Sequence, residues 1–270
     1  MSENHNKEMS FLDHLEILRW VLIRSVMATF IGAATIFVFM ETIFTNVILA
    51  PTQKEFLTNR AFAWLANELA IPALQINAHG IKIQNIDMSG QFTTSITIAI
   101  AGGLILAFPY IFWEFWKFIK PALRENEAKN ASGAIFAVSS LFFLGVLFGY
   151  YLIAPLSIDF LVNYKVSELV ENIISLDSYI STITSIVLAG GLVFELPVII
   201  YFFSKIGLIS AKFLSTYRRH AIVVIIIIAA IITPPDVVSQ SLVAIPLLVL
   251  YEVGILIAKN NERKRVAKTN

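Results

Sequence analysis

Six apolar runs, each bounded by charged or turn-forming residues, constrain this chain more than any other feature. A hydrocarbon core of about 30 Å takes roughly 20 helical residues at about 1.5 Å each. The runs lie at 20–40, 92–112, 134–154, 179–203, 220–232 and 242–258. Backbone groups surrounded by lipid find partners only inside helices or closed barrels, and runs of this length favour helices. The expected fold class is therefore an all-α integral membrane protein with six transmembrane helices in a single membrane domain, 1–270. Composition agrees: 57% of residues are apolar and only 14% charged, where soluble domains carry about 25% charged residues. The first run is too long for a cleaved signal and lacks a small-residue cleavage site after it, so it is expected to persist as a helix.

The net charge of +1 is featureless and excludes a strongly basic nucleic-acid binder. Position is informative where the total is not. The loops 41–90 and 155–178 hold only Lys54, Arg60, Lys82 and Lys165 of the twenty Lys and Arg residues, against nine acids there and at Asp236. The remaining sixteen basic residues fall at the opposite helix ends, in the inner loops between them, in the stretch 1–19 and in the tail 259–270. Positive charge marks the cytoplasmic side, so both termini are expected in the cytoplasm, as in a multi-pass protein of the cytoplasmic (inner) membrane.

Thirteen residues of the fifth run cover only about 20 Å, and the sixth run is also short. Such a pair should thin the bilayer locally or sit in a pocket of the protein. Alternatively, the fifth helix extends back through Tyr217, with Arg218 and Arg219 snorkelling to the interface. In the first outer loop, AFAWLANELAI has the pattern of a short helix that packs on the span ends or lies in the interface. Both outer loops read as a structural cap. One internal echo, AGGLILAFP at 101–109 and AGGLVFELP at 189–197, suggests close helix approach at the glycines and a helix loosened at each proline.

Polar residues inside the apolar runs are candidates for function. Glu195 lies eight residues before Phe203, about 12 Å from the inner end of the fourth run, where an ionised carboxylate is costly unless paired or wetted. Glu252 sits in the sixth run and either pairs with a neighbouring helix or reaches the inner interface. Asp236, in the turn TPPDVVSQ, has the position of a helix N-cap after Pro234 and Pro235. On the inner face, Glu114, Glu125 and Glu127 stand among aromatic and basic residues, an acidic exception that a cationic ligand could use. Spacing alone favours solvated ion pairs for these three. No cysteine, metal-ligand spacing, phosphate-binding loop or nucleophile constellation occurs. No cofactor and no catalysis are expected.

These residues resemble a known family. FLDHLEILR before the first run, WKFIKPALRENE in the first inner loop, GGLVFELP in the fourth run and ITPPDVVSQSLVAIPLLVLYEVG across the last two are similar to the TatC family, the six-span receptor subunit of the twin-arginine protein translocase. The resemblance implies a cupped helical structure that binds twin-arginine signal peptides of folded precursors at the cytoplasmic face. It implies recruitment of single-span TatA- and TatB-like partners, a multimeric receptor complex, and export driven by the proton-motive force. It assigns signal-peptide binding to Glu16, Arg19, Phe118, Pro121 and Glu127. Glu195 is assigned contact with partner helices or the inserted signal hairpin, and Pro234, Pro235, Asp236 and Gln240 the last turn. The chain departs from the family pattern at Ile17, where a glutamate usually precedes Leu-Arg, and at Val21, usually arginine. Glu16 therefore stands one residue early, rotated by about 100° around the helix. The competing reading is a small secondary transporter with Glu195 and Glu252 as proton or cation sites.

Overall fold

The computed structural model describes residues 11–77, 81–119 and 131–266. These residues are helical nearly throughout, and among them five helical stretches are long and apolar enough to cross a membrane: Leu15–Val38, Gly90–Phe118, Ile135–Asn163, Leu176–Lys205 and Val237–Lys264. The chain divides into two compact units, Met1–Val38 with Ala99–Ser139, and Phe39–Ile98 with Ser140–Asn270.

The first unit is built on a helix pair. Helix α1 (Phe11–Val38) takes FLDHLEILR and the first apolar run into one continuous 28-residue rod. A short turn of helix, α2 (Met40–Ile43), follows it. Helix α4 (Gly90–Ile119) runs through Pro109 without interruption; one lost backbone bond is not enough to end it, contrary to the loosening expected there. The α1 and α4 backbones meet at Gly32 and Gly103. A Cβ on Gly103 would lie 2.4 Å from Ala33 N, and one on Gly32 would lie 2.8 Å from Gly103 O. Helices without a hydrophobic driving force between them gain from such close van der Waals approach.

The second unit repeats that device. Helix α5 (Ala131–Phe148) passes through a π-helical turn at Gly149–Ile153 into α6 (Ala154–Asn163). Helix α7 (Leu176–Phe194) crosses it with Gly190 on Gly145: a Cβ at Gly145 would sit 2.4 Å from Gly190 O. Gly191 faces Phe142 and Val146. Both copies of the AGGL echo are therefore helix crossings, and shared packing chemistry accounts for the likeness. After Glu195 the fourth stretch resumes as α8 (Leu196–Lys205).

The C-terminal elements differ from the sequence expectation. A short helix α9 (Ala211–Thr216) precedes α10 (Arg218–Ile232). The fifth helix does include Arg218 and Arg219, but it is interrupted at Tyr217, and its 15 residues span only about 22 Å. The last helix α11 (Val237–Val266) is not short: it has 30 residues, because VVSQS and the charged NNERKRV segment both continue the apolar run. It packs along α8 and α10. Asp236 accepts a bond from Ser239 N at 2.8 Å at its start, and Gln240 donates to Ile226 O at 3.2 Å.

The loops 41–90 and 155–178 are tied together. Strands β1 (Ile83–Gln84) and β2 (Ile174–Ser175) pair in parallel, Ile83 opposite Ile174. Helix α3 (Leu57–Glu68) is held by buried asparagines. Asn59 Nδ2 donates to Pro51 O (2.9 Å) and Gln53 O (2.7 Å), Asn77 Nδ2 to Pro155 O (3.1 Å), and Asn77 N to Asp159 Oδ1 (2.8 Å). Tyr179 OH reaches Ile48 O at 2.7 Å.

Substituting Gly145 by leucine should destabilise the protein by about 1–3 kcal/mol through overpacking, whereas Gly133→Ala, which meets nothing within 4 Å, should be neutral or slightly stabilising. Denaturant titration of both variants in detergent micelles checks this. Equal behaviour of the two would contradict the crossing.

Candidate functional site

Three polar features stand out inside the apolar stretches. The first belongs to the α1–α4 pair. Glu114, with its side chain only 2% exposed, accepts from Arg24 Nη1 at 3.3 Å and from Lys117 Nζ at 2.9 Å. Lys117 also lies 3.3 Å from the centre of the Trp113 ring. One buried carboxylate thus holds two half-exposed cations that can keep part of their hydration, which makes the burial tolerable. Glu114 sits within α4 rather than in a loop, and its partner Arg24 was missed from sequence. The available signal was a lone arginine inside the first apolar run and a lone acid near the end of the next.

That ion pair, together with the Gly32–Gly103 contact, fixes α1 and α4 as antiparallel: moving from residue 32 back to 24 on one helix corresponds to moving from 103 on to 114 on the other. Exposed Arg19 and Glu16 lie five and eight residues beyond Arg24, and half-buried Phe118 four residues beyond Glu114. These three sequence-derived residues therefore come to the same end of the pair. Pro121, Glu125 and Glu127 lie outside the described residues.

The second feature is Glu195. It is 8% exposed, and neither carboxylate oxygen has a hydrogen-bond partner among the described residues. The sequence F-E-L-P positions it. Proline two residues later has no N–H to donate, so the helix stops at Phe194 and restarts at Leu196. Glu195 N donates to Leu192 O at 3.1 Å, and Glu195 O accepts from Val198 N and Ile199 N at 2.9 and 3.0 Å. The backbone at the break is satisfied while the side chain is not. A buried carboxylate without a partner is costly, so it marks a place where a group from outside the chain can add hydrogen bonds.

The third is Glu252, which meets Arg218 in a two-pronged pair: Arg218 Nε–Oε1 at 2.7 Å and Nη2–Oε2 at 2.9 Å, both side chains about half exposed. The fork geometry uses both carboxylate oxygens. Glu252 is thus committed to a neighbouring helix, one of the two options open from sequence.

A family model described as Sec-independent protein translocase protein (TatC) matches residues 13–246. The chain belongs to the TatC family. It is 40% identical over 265 residues to the Sec-independent protein translocase protein TatC of Blattabacterium sp. subsp. Periplaneta americana (strain BPLAN), an alignment covering 97% of this chain and all of that relative. Against the TatC of Carboxydothermus hydrogenoformans it is 35% identical over 255 residues, 94% of each chain. A crystal structure of the twin-arginine translocase receptor TatC superposes with a TM-score of 0.70 at 33% identity, covering 92% of this chain and 99% of that one. As a TatC family member, the protein is a multi-pass component of a Sec-independent protein translocase. Its relatives are named for transport, and the secondary-transporter reading is not favoured.

The ion cluster predicts an asymmetry. Glu114→Gln leaves two cations that can rehydrate and should cost about 1–2 kcal/mol, whereas the double variant Arg24→Met with Lys117→Met strands a buried carboxylate and should cost about 3 kcal/mol or more. Unfolding of the purified variants in micelles measures both. The reverse order would mean that Glu114 is solvated rather than paired.

Proposed function

We propose that this protein is the receptor and scaffold of its translocase, crossing the cytoplasmic membrane six times with both termini inside and forming a cupped structure. It binds the paired arginines of a signal peptide on the cytoplasmic face and recruits TatA- and TatB-like single-span subunits for export driven by the proton-motive force. The observation that supports this reading is the antiparallel α1–α4 register, in which Glu16, Arg19 and Phe118 lie toward one end of the helix pair.

Chemistry supports arginine as the ligand. A guanidinium desolvated against carboxylates gains charge-assisted, two-pronged hydrogen bonds that an ammonium reproduces poorly. Glu195 then serves a second step inside the membrane, where its unpartnered oxygens accept a polar group from a partner helix or from the inserted signal hairpin. The similar crystal structure is that of a twin-arginine translocase receptor, which supports the assignment.

Two outcomes follow. Glu127→Ala should weaken binding of an Arg-Arg signal peptide at least tenfold while wild-type protein already discriminates against the Lys-Lys peptide; titration with a fluorescent peptide reads both, and unchanged affinity would remove Glu127 from the site. Glu195→Ala should keep most of that surface affinity but lose copurification with single-span subunits. Full export activity in this variant would reduce Glu195 to a structural role.

A further inference from the structure

Helix α3 is amphipathic the wrong way round for a water-facing cap. Its inward face carries Thr58 and Asn59, both buried, with Ala66; Thr58 Oγ1 donates to Tyr151 O, and Asn59 to two loop carbonyls. Its outward face carries Leu57, Ala61, Trp64 and Leu65, with Leu57 and Trp64 exposed at 66% and 64%. A soluble helix buries the apolar stripe and exposes the polar one. Here Thr58 and Asn59 are used up inside, on backbone groups of loops and of the third membrane stretch, and Leu57, Trp64 and Leu65 are left outside, flanked by exposed Arg60, Asn67 and Glu68.

Depth decides what covers them. Phe56, next to Leu57, stacks on Tyr151 with ring centres 5.4 Å apart and meets Tyr150 edge-on at 5.4 Å; Tyr150 OH is bonded to Val47 O at 2.7 Å. Tyr151 lies sixteen residues into the stretch Ile135–Asn163, about 24 Å along it, inside a hydrocarbon layer of about 30 Å. The start of α3 is therefore pinned at the boundary between hydrocarbon and headgroups, amid a cluster of aromatic rings of the kind that gathers there. Charge agrees with a lipid occupant. Lys54 and Arg60, two of the four basic residues in the loops 41–90 and 155–178, stand beside its first turn, where headgroup phosphates would meet them.

We infer that α3 lies in the membrane interface, with Leu57, Trp64 and Leu65 inserted among the acyl chains of the leaflet on the side of these loops and Lys54 and Arg60 on lipid phosphates. This helix then anchors the cap to the bilayer rather than offering a surface to water. An interfacial helix of this type sinks its apolar face about 5–10 Å into the headgroup–acyl boundary.

Because the chain has no cysteine, nitroxides can be placed singly at Leu57→Cys and Trp64→Cys in the full-length protein, reconstituted in phosphatidylethanolamine–phosphatidylglycerol vesicles. Glu168→Cys, whose side chain is 90% exposed, serves as the reference in the same pair of loops. The ratio of collisions with oxygen to collisions with a water-soluble nickel chelate should be at least fivefold higher at both α3 sites than at Glu168. A ratio equal to the reference overturns the inference. So do low collision rates with both quenchers: spin–spin broadening relieved by unlabelled protein would then identify a second copy as the cover, and its absence a protein contact. Without any label, brominated acyl chains should quench more than half of the fluorescence difference between wild type and Trp64→Phe; no quenching of that difference again overturns it.

Discussion

Where water does not reach, every polar group must find its partner within the protein, and this requirement organises the molecule. Inside the helices the backbone meets it on its own. At the places where the helix is interrupted, side chains meet it: Asn59 and Asn77 bond the carbonyls of Pro51, Gln53 and Pro155 beneath the cap, and Tyr179 and Tyr251 reach Ile48 O and Leu214 O across helices. The charges follow the same rule. Glu114 sits between two cations, and Glu252 is clasped by Arg218. Glu195 is the departure, a buried carboxylate with neither oxygen partnered among the described residues. Glu195 therefore differs from Glu114 and Glu252, whose charges are met by cations of neighbouring side chains.

The same constraint explains what could be read from sequence. The long apolar runs were visible because lipid demands continuous helices, and the two AGGL sites because close backbone approach demands small residues. The break at Glu195 was legible through Pro197, since proline removes a donor that nothing else supplies. Pro109 carried the same signal, yet the helix Gly90–Ile119 continues through it. The last helix was cut short at Leu242 because polar VVSQS and charged NNERKRV fall outside an apolar window, although both are compatible with helix once Asp236 caps the start. The pair Arg24–Glu114 needed the register of two helices ninety residues apart, which no local pattern contains. Glu252 shows the converse: its need for a partner was plain, but only the fold selected Arg218.

The cap shows why composition by face says more than composition by segment. Read as a segment, residues 57–68 mix polar and apolar side chains and fit either packing on the spans or lying in the interface. Read by face, Thr58 and Asn59 point inward onto the carbonyls of Tyr151, Pro51 and Gln53, and the large apolar side chains Leu57 and Trp64 point outward. Burying Thr58 and Asn59 is favourable only because interrupted backbone beneath them needs donors. Exposing Leu57 and Trp64 is favourable only where the outside is itself apolar. The two choices support one another: the loops pack against α3 through hydrogen bonds, and that packing frees its apolar face for lipid. Membrane insertion and the irregular backbone of the cap are thus two consequences of the same arrangement of side chains.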